Sequence, residues 1–506
     1  MHSTHDRIRG VSLRELLPKA KFLGGPDIRV TSVCSDAARC RPGDLYVALL
    51  TSEDDGHDHV HKAIRRGATA VLCERLVAAS VPMCFVPNTH SALGRVCQKL
   101  AGSPSDSLRM IGVTGSNGKT VTSILVASIL AAAQQRVGVL SSIGYSDGGE
   151  TAAAPVTTPS PPELADWLAR MNANGCENAV VEVSSEGLAQ HRTAGVQFDA
   201  AILTNIRRDH VDEHGSAANY RRMKFRLLRQ LKPHGFAVLN ADDPGSQSLL
   251  AKIDRPVLTF GMNSSAEVMA TVLERHSSEQ TFLLTAGNES IPVCTRMIGD
   301  HHVYNCLAAA ALGLVLGLDL TTVARGLEQV EYVPGRLERI ECGQSFSVFV
   351  DHARTPDSLA ASLKAVRQTT RGRVICAFGA EGETLKERRA ELGHVVERAA
   401  HRCVITNQNP RHDEPLQIAH DILDGFSNPE KAHILPDRAE AIYWALSKAR
   451  PGDAVVIAGK GDEDFQTLGS HRYAWDDRAI VRDWLYTRAA DDETDRKPNH
   501  GLRIVG

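Results

Sequence analysis

The segment Gly112-Val-Thr-Gly-Ser-Asn-Gly-Lys-Thr120 has the residue types and spacing that bind a chain of phosphates. It follows an apolar run that predicts a buried strand, and it precedes apolar residues at helical spacing. A glycine turn between strand and helix directs backbone N–H groups at an anion, and the helix dipole adds to the attraction. Lys119 would meet the terminal phosphates, and the Thr120 hydroxyl would help to hold Mg²⁺. An ordinary glycine-rich turn is the alternative, because Val113 stands where the common phosphate loop has glycine. The predicted triphosphate-binding residues are Gly115, Ser116, Asn117, Gly118, Lys119 and Thr120.

Polar segments follow three further strands that the sequence predicts. They are Val181-Glu-Val-Ser-Ser-Glu186, Thr204-Asn-Ile-Arg-Arg-Asp-His210 and Asn240-Ala-Asp-Asp243. Open α/β sheets bind ligands at the carboxyl ends of their strands. Mg²⁺ on a triphosphate needs one or two carboxylates, so Glu182 with His210 beside the Thr120 hydroxyl would supply a metal site. The plainer interpretation is that these residues cap the helices that follow each strand.

The elements that must position these side chains alternate along most of the chain. Strands and helices alternate from residue 108 to about 335 and again from 337 to 486, which predicts parallel sheets covered on both faces. At 506 residues the chain is too long for one core and predicts about three domains. The predicted α/β domains are 1–105, 106–335 and 336–486, and the polar tail 487–506 is predicted to be disordered.

Composition excludes several classes of function. The net charge of −3 gives no electrostatic footprint for nucleic acid, and eleven scattered cysteines without a Cys-x-x-Cys pair indicate reduced thiols. The N-terminus lacks the apolar core of a signal peptide, and the most apolar stretch, Leu307 to Leu320, is too short to span a membrane. The histidines of Asp55-Gly-His-Asp-His-Val-His61 are interpreted as a solvated loop rather than a metal cluster. We therefore expect a cytoplasmic protein that acts on small molecules.

A set of collinear motifs resembles the Mur ligase family over about residues 28 to 486. The motifs are TGSNGKT, VEVSSEGL, LTNIRRDHVDEHG, NADDP, PGRLERI, QNPR and GKGDEDFQ. Folylpolyglutamate synthetase shares the ATPase core but lacks the N-terminal domain that is present here. The motifs are most similar to those of the branch that adds the third amino acid of the peptidoglycan stem peptide to UDP-MurNAc-L-Ala-D-Glu. The resemblance implies a UDP-binding N-terminal domain, a central P-loop-type ATPase domain and a Rossmann-like C-terminal domain.

In this family ATP phosphorylates a substrate carboxylate, and an incoming amine then attacks the acyl phosphate. The resemblance implies ATP and Mg²⁺ as cofactors, with metal ligands at Thr120, Glu182 and His210. It also implies a carbamylated lysine at Lys224, which would be a further metal ligand. Lys119, Lys224 and His210 are the implied catalytic residues. The implied enzyme is an ADP-forming ligase of cell-wall synthesis, and it is expected to be a monomer.

The resemblance also assigns substrate positions. Those for the UDP-MurNAc-dipeptide are Thr157, Thr158, Ser184, Gln190 and Arg192. Further nucleotide positions are Asn305, Arg336 and Asp351. Those for the incoming amino acid are Asn409, Arg411, Gly459 and Glu463.

Several positions depart from the family pattern. Glu186, His302, Arg354 and Thr384 replace usual family residues, and Gln408 replaces the first acid of an Asp-Asn-Pro-Arg motif. A paralogue that binds the precursor without ligating it is therefore one alternative. Because Arg411 is kept to grip a distal carboxylate, meso-diaminopimelate is predicted, and an L-lysine-adding ligase is the other alternative. Thr384 stands where the family has an arginine, for which Lys386, Arg388 or Arg389 could substitute.

Overall fold

The computed structural model describes residues 10–207 and 215–495, and the chain divides into two compact units. The first comprises Met1–Ile206, His214–Thr259 and Ala311–Leu316, and the second comprises Arg207–Glu213, Phe260–Ala310 and Gly317–Gly506. Helices and parallel strands occur in both units, which confirms the predicted α/β class. The three predicted domain boundaries stay a prediction.

A small sheet occupies the first hundred residues of the first unit. Strands β4 to β7 are parallel, and β2 pairs antiparallel with β7 at the edge. The strand Ala70–Cys73 is buried throughout, as expected for a strand covered on both faces. The elements are β1 Val11–Ser12, α1 Leu13–Leu16, β2 Lys21–Leu23, β3 Arg29–Val30, β4 Val33–Cys34, β5 Leu45–Val47, α2 Val60–Arg65, β6 Ala70–Cys73, β7 Met83–Phe85 and α3 Thr89–Leu100.

A larger sheet follows, and its five central strands are parallel in the order β9, β12, β8, β13 and β14. The parallel register confirms the sequence prediction and brings the carboxyl ends of these strands to one edge. The elements are β8 Arg109–Thr114, α4 Lys119–Ala132, β9 Val137–Ser141, β10 Gly144–Ser146, β11 Thr151–Ala152, α5 Pro161–Ala173, β12 Asn178–Glu182, α6 Ser185–Ala189, β13 Phe198–Leu203, α7 Ala217–Leu228, β14 Leu231–Asn240, α8 Pro244–Leu250 and β15 Val257–Gly261.

An antiparallel meander in the second unit departs from the predicted alternation of strands and helices. It consists of β16 Val268–Arg275, β17 Gln280–Ala286 and β18 Glu289–Thr295. Only one face of β17 is fully buried, so its side chains alternate in burial instead of forming a continuous apolar run. The chain continues as α9 Asp300–Val315 and α10 Leu320–Glu328.

A six-stranded sheet forms the rest of the second unit, in the order β19, β20, β24, β21, β22 and β23. Every pair is parallel except the edge pair β19–β20, and apolar side chains cover both faces. The elements are β19 Glu338–Ile340, β20 Ser347–Asp351, α11 Pro356–Thr369, β21 Val374–Phe378, α12 Lys386–Ala399, β22 Arg402–Ile405, α13 Pro415–Leu423, β23 Ala432–Ile434, α14 Arg438–Ser447, β24 Ala454–Ala458, β25 Phe465–Leu468, β26 His471–Ala474 and α15 Asp477–Asp495.

Helix α15 runs from Asp477 to Asp495, and the predicted disorder of the tail 487–506 stays a prediction. One sequence prediction is corrected in part. The histidine-rich segment leads into α2 and His61 is exposed, but His57 is buried in a short 3₁₀ helix, so the segment is only partly solvated. The Nδ1 atom of His57 lies 2.6 Å from Asp55 Oδ1, and its Nε2 accepts from the Glu74 N–H at 2.9 Å. Within the described residues, none of the helices is both long and apolar enough to span a membrane.

Candidate active site

The predicted phosphate-binding segment lies between the end of β8 and the start of α4. Gly118 precedes the helix with φ +85°, a conformation that favours glycine. Gly115 has φ +155°, and a Cβ built on it would lie 1.9 Å from Thr204 Oγ1. The loop backbone therefore takes a path that no other residue type fits at position 115.

The end of β13 fixes this loop in place. Thr204 Oγ1 donates to the Asn117 carbonyl at 2.6 Å, and the Asn117 N–H donates to Asn205 Oδ1 at 3.0 Å. The Ser116 N–H donates to the Asn205 carbonyl at 3.0 Å. Two of the segments that the sequence placed at strand ends are thus joined by hydrogen bonds, which preorganises the loop before any ligand binds.

Two lysines converge on the loop. Lys119 Nζ donates to the carbonyls of Gly115 at 3.2 Å and Ser116 at 3.0 Å. Lys224 Nζ donates to the same Gly115 carbonyl at 2.8 Å, and the side chain is buried, 5.0 Å above the ring of Tyr220. The structure therefore brings the implied catalytic lysines together at the phosphate-binding segment, although they lie 105 positions apart in the sequence.

Oxygen ligands for a hard cation lie beside the lysines. Thr120 Oγ1 lies 3.2 Å from Glu182 Oε1 and 2.9 Å from Ser142 Oγ, and both Thr120 and Glu182 are buried. The Ser142 N–H donates to Glu182 Oε2 at 3.0 Å. A buried carboxylate with two hydroxyl groups is the donor set that Mg²⁺ prefers, so these residues fit the metal that the sequence implied. His210, the other predicted ligand, lies outside the described residues, as does Asp209.

Ser142 was missed by the sequence prediction. It follows β9 directly, so the rule that ligands bind at the carboxyl ends of parallel strands would have found it. The Asn240-Ala-Asp-Asp243 segment is structural instead. Asp243 Oδ2 accepts from the Ser246 N–H at 2.7 Å as the N-cap of α8, and from the Ile206 N–H at 2.9 Å. The capping interpretation is therefore correct for this segment.

The implied dipeptide positions cluster around the start of α6. Thr158 Oγ1 donates to the Glu182 carbonyl and accepts from the Ser184 N–H, each at 2.9 Å. Arg192 donates to the Thr158 carbonyl at 2.8 Å. The substituted residue Glu186 accepts from Arg192 at 2.8 Å and from Gln190 at 3.1 Å, so it orients these two side chains. Thr157 precedes Thr158 and is half-buried.

The remaining implied nucleotide positions lie in the second unit. Asn305 is buried in α9. Arg336 donates to Asp462 Oδ1 at 2.5 Å, and Asp351 accepts from the Leu337 N–H at 3.1 Å. The substituted His302 is buried, and desolvation, followed by the neighbouring His301, holds the pKa of its imidazole well below its usual range. The imidazole is therefore neutral near pH 7.

Three of the implied amino-acid positions meet at the carboxyl edge of the second unit's sheet. Glu463 Oε2 accepts from Asn409 Nδ2 at 3.0 Å and from Lys460 Nζ at 2.9 Å. Its Oε1 accepts from Arg354 at 3.2 Å, and Arg354 also donates to Glu381 at 3.0 Å. Gly459 follows β24 with φ +115° and precedes the buried Lys460. Lys460 and the substituted residue Arg354 thus contact the candidate amino-acid positions, Glu381 contacts Arg354, and the sequence analysis had singled out neither Lys460 nor Glu381.

Arg411 lies at the same edge and pairs with Glu383, at 3.2 Å between Nη1 and Oε2. Of the cations suggested as substitutes for the missing arginine, Arg389 is buried against Asp413 and Asp421, and Lys386 pairs with Asp421 at 3.1 Å. These ion pairs hold Arg389 and Lys386 to neighbouring acids of the same unit.

Comparison with known proteins agrees with this geometry. The model of the Mur ligase middle domain matches residues 113–313, and that of the Mur ligase glutamate ligase domain matches residues 335–461. A UDP-N-acetylmuramoyl-L-alanyl-D-glutamate–2,6-diaminopimelate ligase of Geobacillus thermodenitrificans is 36% identical over 466 residues, which cover 91% of this chain and 95% of that protein.

Solved structures show the same architecture. The structure of a UDP-N-acetylmuramoyl-L-alanyl-D-glutamate–2,6-diaminopimelate ligase aligns with a TM-score of 0.68 and 27% identity, covering 95% of this chain and 99% of the other. The MurF ligase of Thermotoga maritima in complex with ADP aligns with a TM-score of 0.61 and 20% identity, covering 92% and 98% of the two chains.

The chain belongs to the Mur ligase family. It is accordingly an ATP-dependent, ADP-forming ligase that uses Mg²⁺, which confirms the sequence prediction of its enzyme class and cofactors.

Proposed function

We propose that this ligase joins meso-diaminopimelate to UDP-MurNAc-L-Ala-D-Glu. The observation that carries the proposal is the cluster of Lys119, Lys224, Thr120 and Glu182 around the Gly115 loop. Two relatives that are 36 and 37% identical and each cover 91% of this chain bear the name of the ligase for that substrate pair, which supports the choice of precursor.

The site residues suit phosphorylation of a carboxylate followed by amide formation. In the first step a carboxylate oxygen of the precursor attacks the γ-phosphorus of ATP, and ADP leaves. In the second step the amine attacks the acyl carbon, and inorganic phosphate leaves with the C–O bond electrons. Lys119 and the loop N–H groups would bind the negative oxygens of the transferring phosphoryl group, and they act chiefly by position and charge. Mg²⁺, held by Thr120 and Glu182, would neutralise phosphate charge.

Lys224 has a distinct place in this proposal. As a carbamate it would be an anion, and it would join Glu182 among the metal ligands, with His210 as a further ligand. Its burial beside the Gly115 carbonyl supports a role at the phosphates. Arg192 and Gln190, held by Glu186, and Thr157, Thr158 and Ser184 would bind the dipeptide precursor.

Arg411 supports diaminopimelate as the incoming amino acid. Its guanidinium is about half exposed at the edge of the second unit's sheet, where it can bind a distal carboxylate. L-Lysine has no carboxylate at that end, so it would leave Arg411 without this partner.

Phosphate release tests the proposal. Purified protein, ATP, Mg²⁺ and UDP-MurNAc-L-Ala-D-Glu should release phosphate only when an amino acid is added, and fastest with meso-diaminopimelate. Mass spectrometry should find the matching tripeptide precursor. Release that ignores every amino acid, or none at all, would support the non-ligating paralogue. A higher kcat/KM with L-lysine would support the lysine-adding alternative.

We also infer that the enzyme is a cytoplasmic monomer with domains at 1–105, 106–335 and 336–486. Unpaired cysteines and a nucleotide-linked substrate support the compartment. Sedimentation velocity and limited proteolysis near residues 105 and 335 test the monomer and the boundaries.

A further inference from the structure

An ion pair between Glu383 and Arg411 has a rigid backbone on both sides. Both residues adopt left-handed conformations, with φ of +61° and +52°, which are unfavourable for residues other than glycine. The Glu383 N–H donates to Asp413 Oδ2 at 2.9 Å. The backbone of Arg411 is tied to the hairpin at Thr467 and Gly469 by bonds of 3.3 and 2.6 Å. The two side chains are therefore directed at each other by fixed loops.

The pair is accessible to a ligand. Both side chains are nearly half exposed, and Glu383 Oε1 also lies 2.9 Å from His412 Nδ1. Exposed ion pairs are weak in water, so a ligand that replaces one partner loses little. A bound ligand shields the pair from water, so it must leave neither charge without a partner.

A zwitterionic group meets that requirement. A lone carboxylate would take Arg411 and release Glu383, whereas a lone ammonium would take Glu383 and release Arg411. A carbon that carries both an ammonium and a carboxylate can enter the pair and replace both partners at once. We propose that Glu383 and Arg411 together recognise the distal zwitterion of the incoming amino acid, with Glu383 accepting from its ammonium.

Among the neighbouring residues, Glu383 is the acid placed to accept from the distal ammonium. Gln408 stands where the family motif has its first acid, and it is buried and neutral, with its amide donating to the Gly459 carbonyl at 3.0 Å. Glu463 is surrounded by Arg354, Lys460 and Asn409. Glu381 is paired with Arg354. Glu383 is thus the acid next to Arg411 that can supply the negative charge absent at position 408. The inference rests on the proposed function, because it concerns the amino-acid substrate of that reaction.

Three candidate amino-acid substrates test the contributions of Glu383 and Arg411 separately. meso-Diaminopimelate carries both distal groups, 2-aminopimelate carries only the distal carboxylate, and L-lysine carries only the distal ammonium. Glu383→Gln should lower kcat/KM for diaminopimelate by about tenfold or more, the effect of one charge-assisted hydrogen bond. It should not lower kcat/KM for 2-aminopimelate, which leaves Glu383 without a partner. Arg411→Gln should lower kcat/KM for both pimelates, but not for L-lysine, which leaves Arg411 without a partner. Glu387→Gln, an exposed acid in the first turn of α12, is the matched control.

These experiments distinguish a wrong assignment of Glu383 from a wrong assignment of the ligase function. If Glu383→Gln lowers kcat/KM equally for both pimelates, Glu383 only positions Arg411, and the inference is overturned. An unchanged preference for diaminopimelate overturns it as well. A wild-type protein that ligates none of the three contradicts the proposed function instead. Calorimetric titration of each amino acid into wild type and variant then measures the same preference without turnover.

Discussion

Lys119 is the residue on which phosphoryl transfer is expected to depend most directly. Lys119→Ala should lower kcat by about a hundredfold to a thousandfold, since loss of one preorganised donor to a developing charge costs about 3–4 kcal/mol. The measurement is steady-state phosphate release at saturating ATP. Lys99→Ala, at an exposed position in the last turn of α3, is the control. A Lys119→Ala enzyme with wild-type kcat would show that the ammonium does not meet the phosphates.

Substitution of Lys224 tests whether this side chain acts as a carbamate. Its ammonium and that of Lys119 share the Gly115 carbonyl oxygen, so conversion of one cation to an anion would relieve a repulsion between like charges. Lys224→Ala should be severely impaired and should regain part of its activity with added acetate or formate. Wild-type enzyme in carbon-dioxide-free buffer should lose activity and recover it with bicarbonate. Unchanged kcat in Lys224→Ala refutes the carbamate assignment.

At the scale of elements, substitution of Asp243 distinguishes a helix-capping role from a role in the reaction. Because Asp243 caps α8 and also binds the Ile206 N–H, Asp243→Ala should lower the free energy of unfolding by about 1–2 kcal/mol. kcat at 20 °C should stay within about twofold of wild type, and thermal denaturation measures the stability. Asp243→Asn, which keeps an acceptor oxygen, should recover most of it. A large loss of kcat without loss of stability would indicate a role for Asp243 in the reaction instead.

The sequence predicted some elements well for identifiable reasons. Continuous apolar runs at 70–73, 374–378 and 454–458 coincide with strands in the structure, because such runs mark strands buried on both faces. The strand and helix around the phosphate-binding segment were predicted because a glycine turn separates two apolar periods. The meander from β16 to β18 was not predicted. Alternating burial over short strands is a weaker sequence signal than the continuous apolar runs of the neighbouring parallel strands.

The site was predictable where a motif carries chemistry and unpredictable where a side chain has a local partner. Glu182 and Lys224, which the family motifs single out, lie beside the phosphate-binding segment. The contacts of Glu186 and Glu383 depend on which cations face them in the fold, and no spacing rule gives that. For Asp243 the sequence left two interpretations open, because a carboxylate after a strand can cap a helix or bind a metal.

At the scale of the whole molecule, buried histidines predict how stability depends on pH. Desolvation holds the pKa of His302 well below 6.5, and burial also lowers the pKa values of His301 and His191. The unfolded chain therefore binds more protons than the native state below about pH 6.5. The stability that these neutral imidazoles contribute is fully present above that pH and is lost as the pH falls toward the folded values.

Urea denaturation between pH 5 and 8 measures this effect. The free energy of unfolding should decline from pH 7 to pH 5, and His302→Asn should make the decline shallower. His471→Asn, at an exposed position, should leave the slope unchanged. A wild-type stability that rises on acidification over this range would contradict the neutral state of the buried histidines. Below about pH 4 a second decline should follow, because the His57 N–H lowers the pKa of Asp55 to about 2.

The close approach of Gly115 to Thr204 has a consequence for drug resistance. Any side chain at position 115 meets two separate barriers, the Thr204 hydroxyl and a backbone conformation that suits glycine. Removing the hydroxyl would lift only the first barrier, and it would also release the Asn117 carbonyl that holds the loop. A single substitution at Gly115 therefore meets both barriers. A second substitution that removes the Thr204 hydroxyl leaves the unfavourable backbone conformation in place. An inhibitor anchored to the backbone at Gly115 would therefore contact a position at which a resistance substitution would also disrupt the loop.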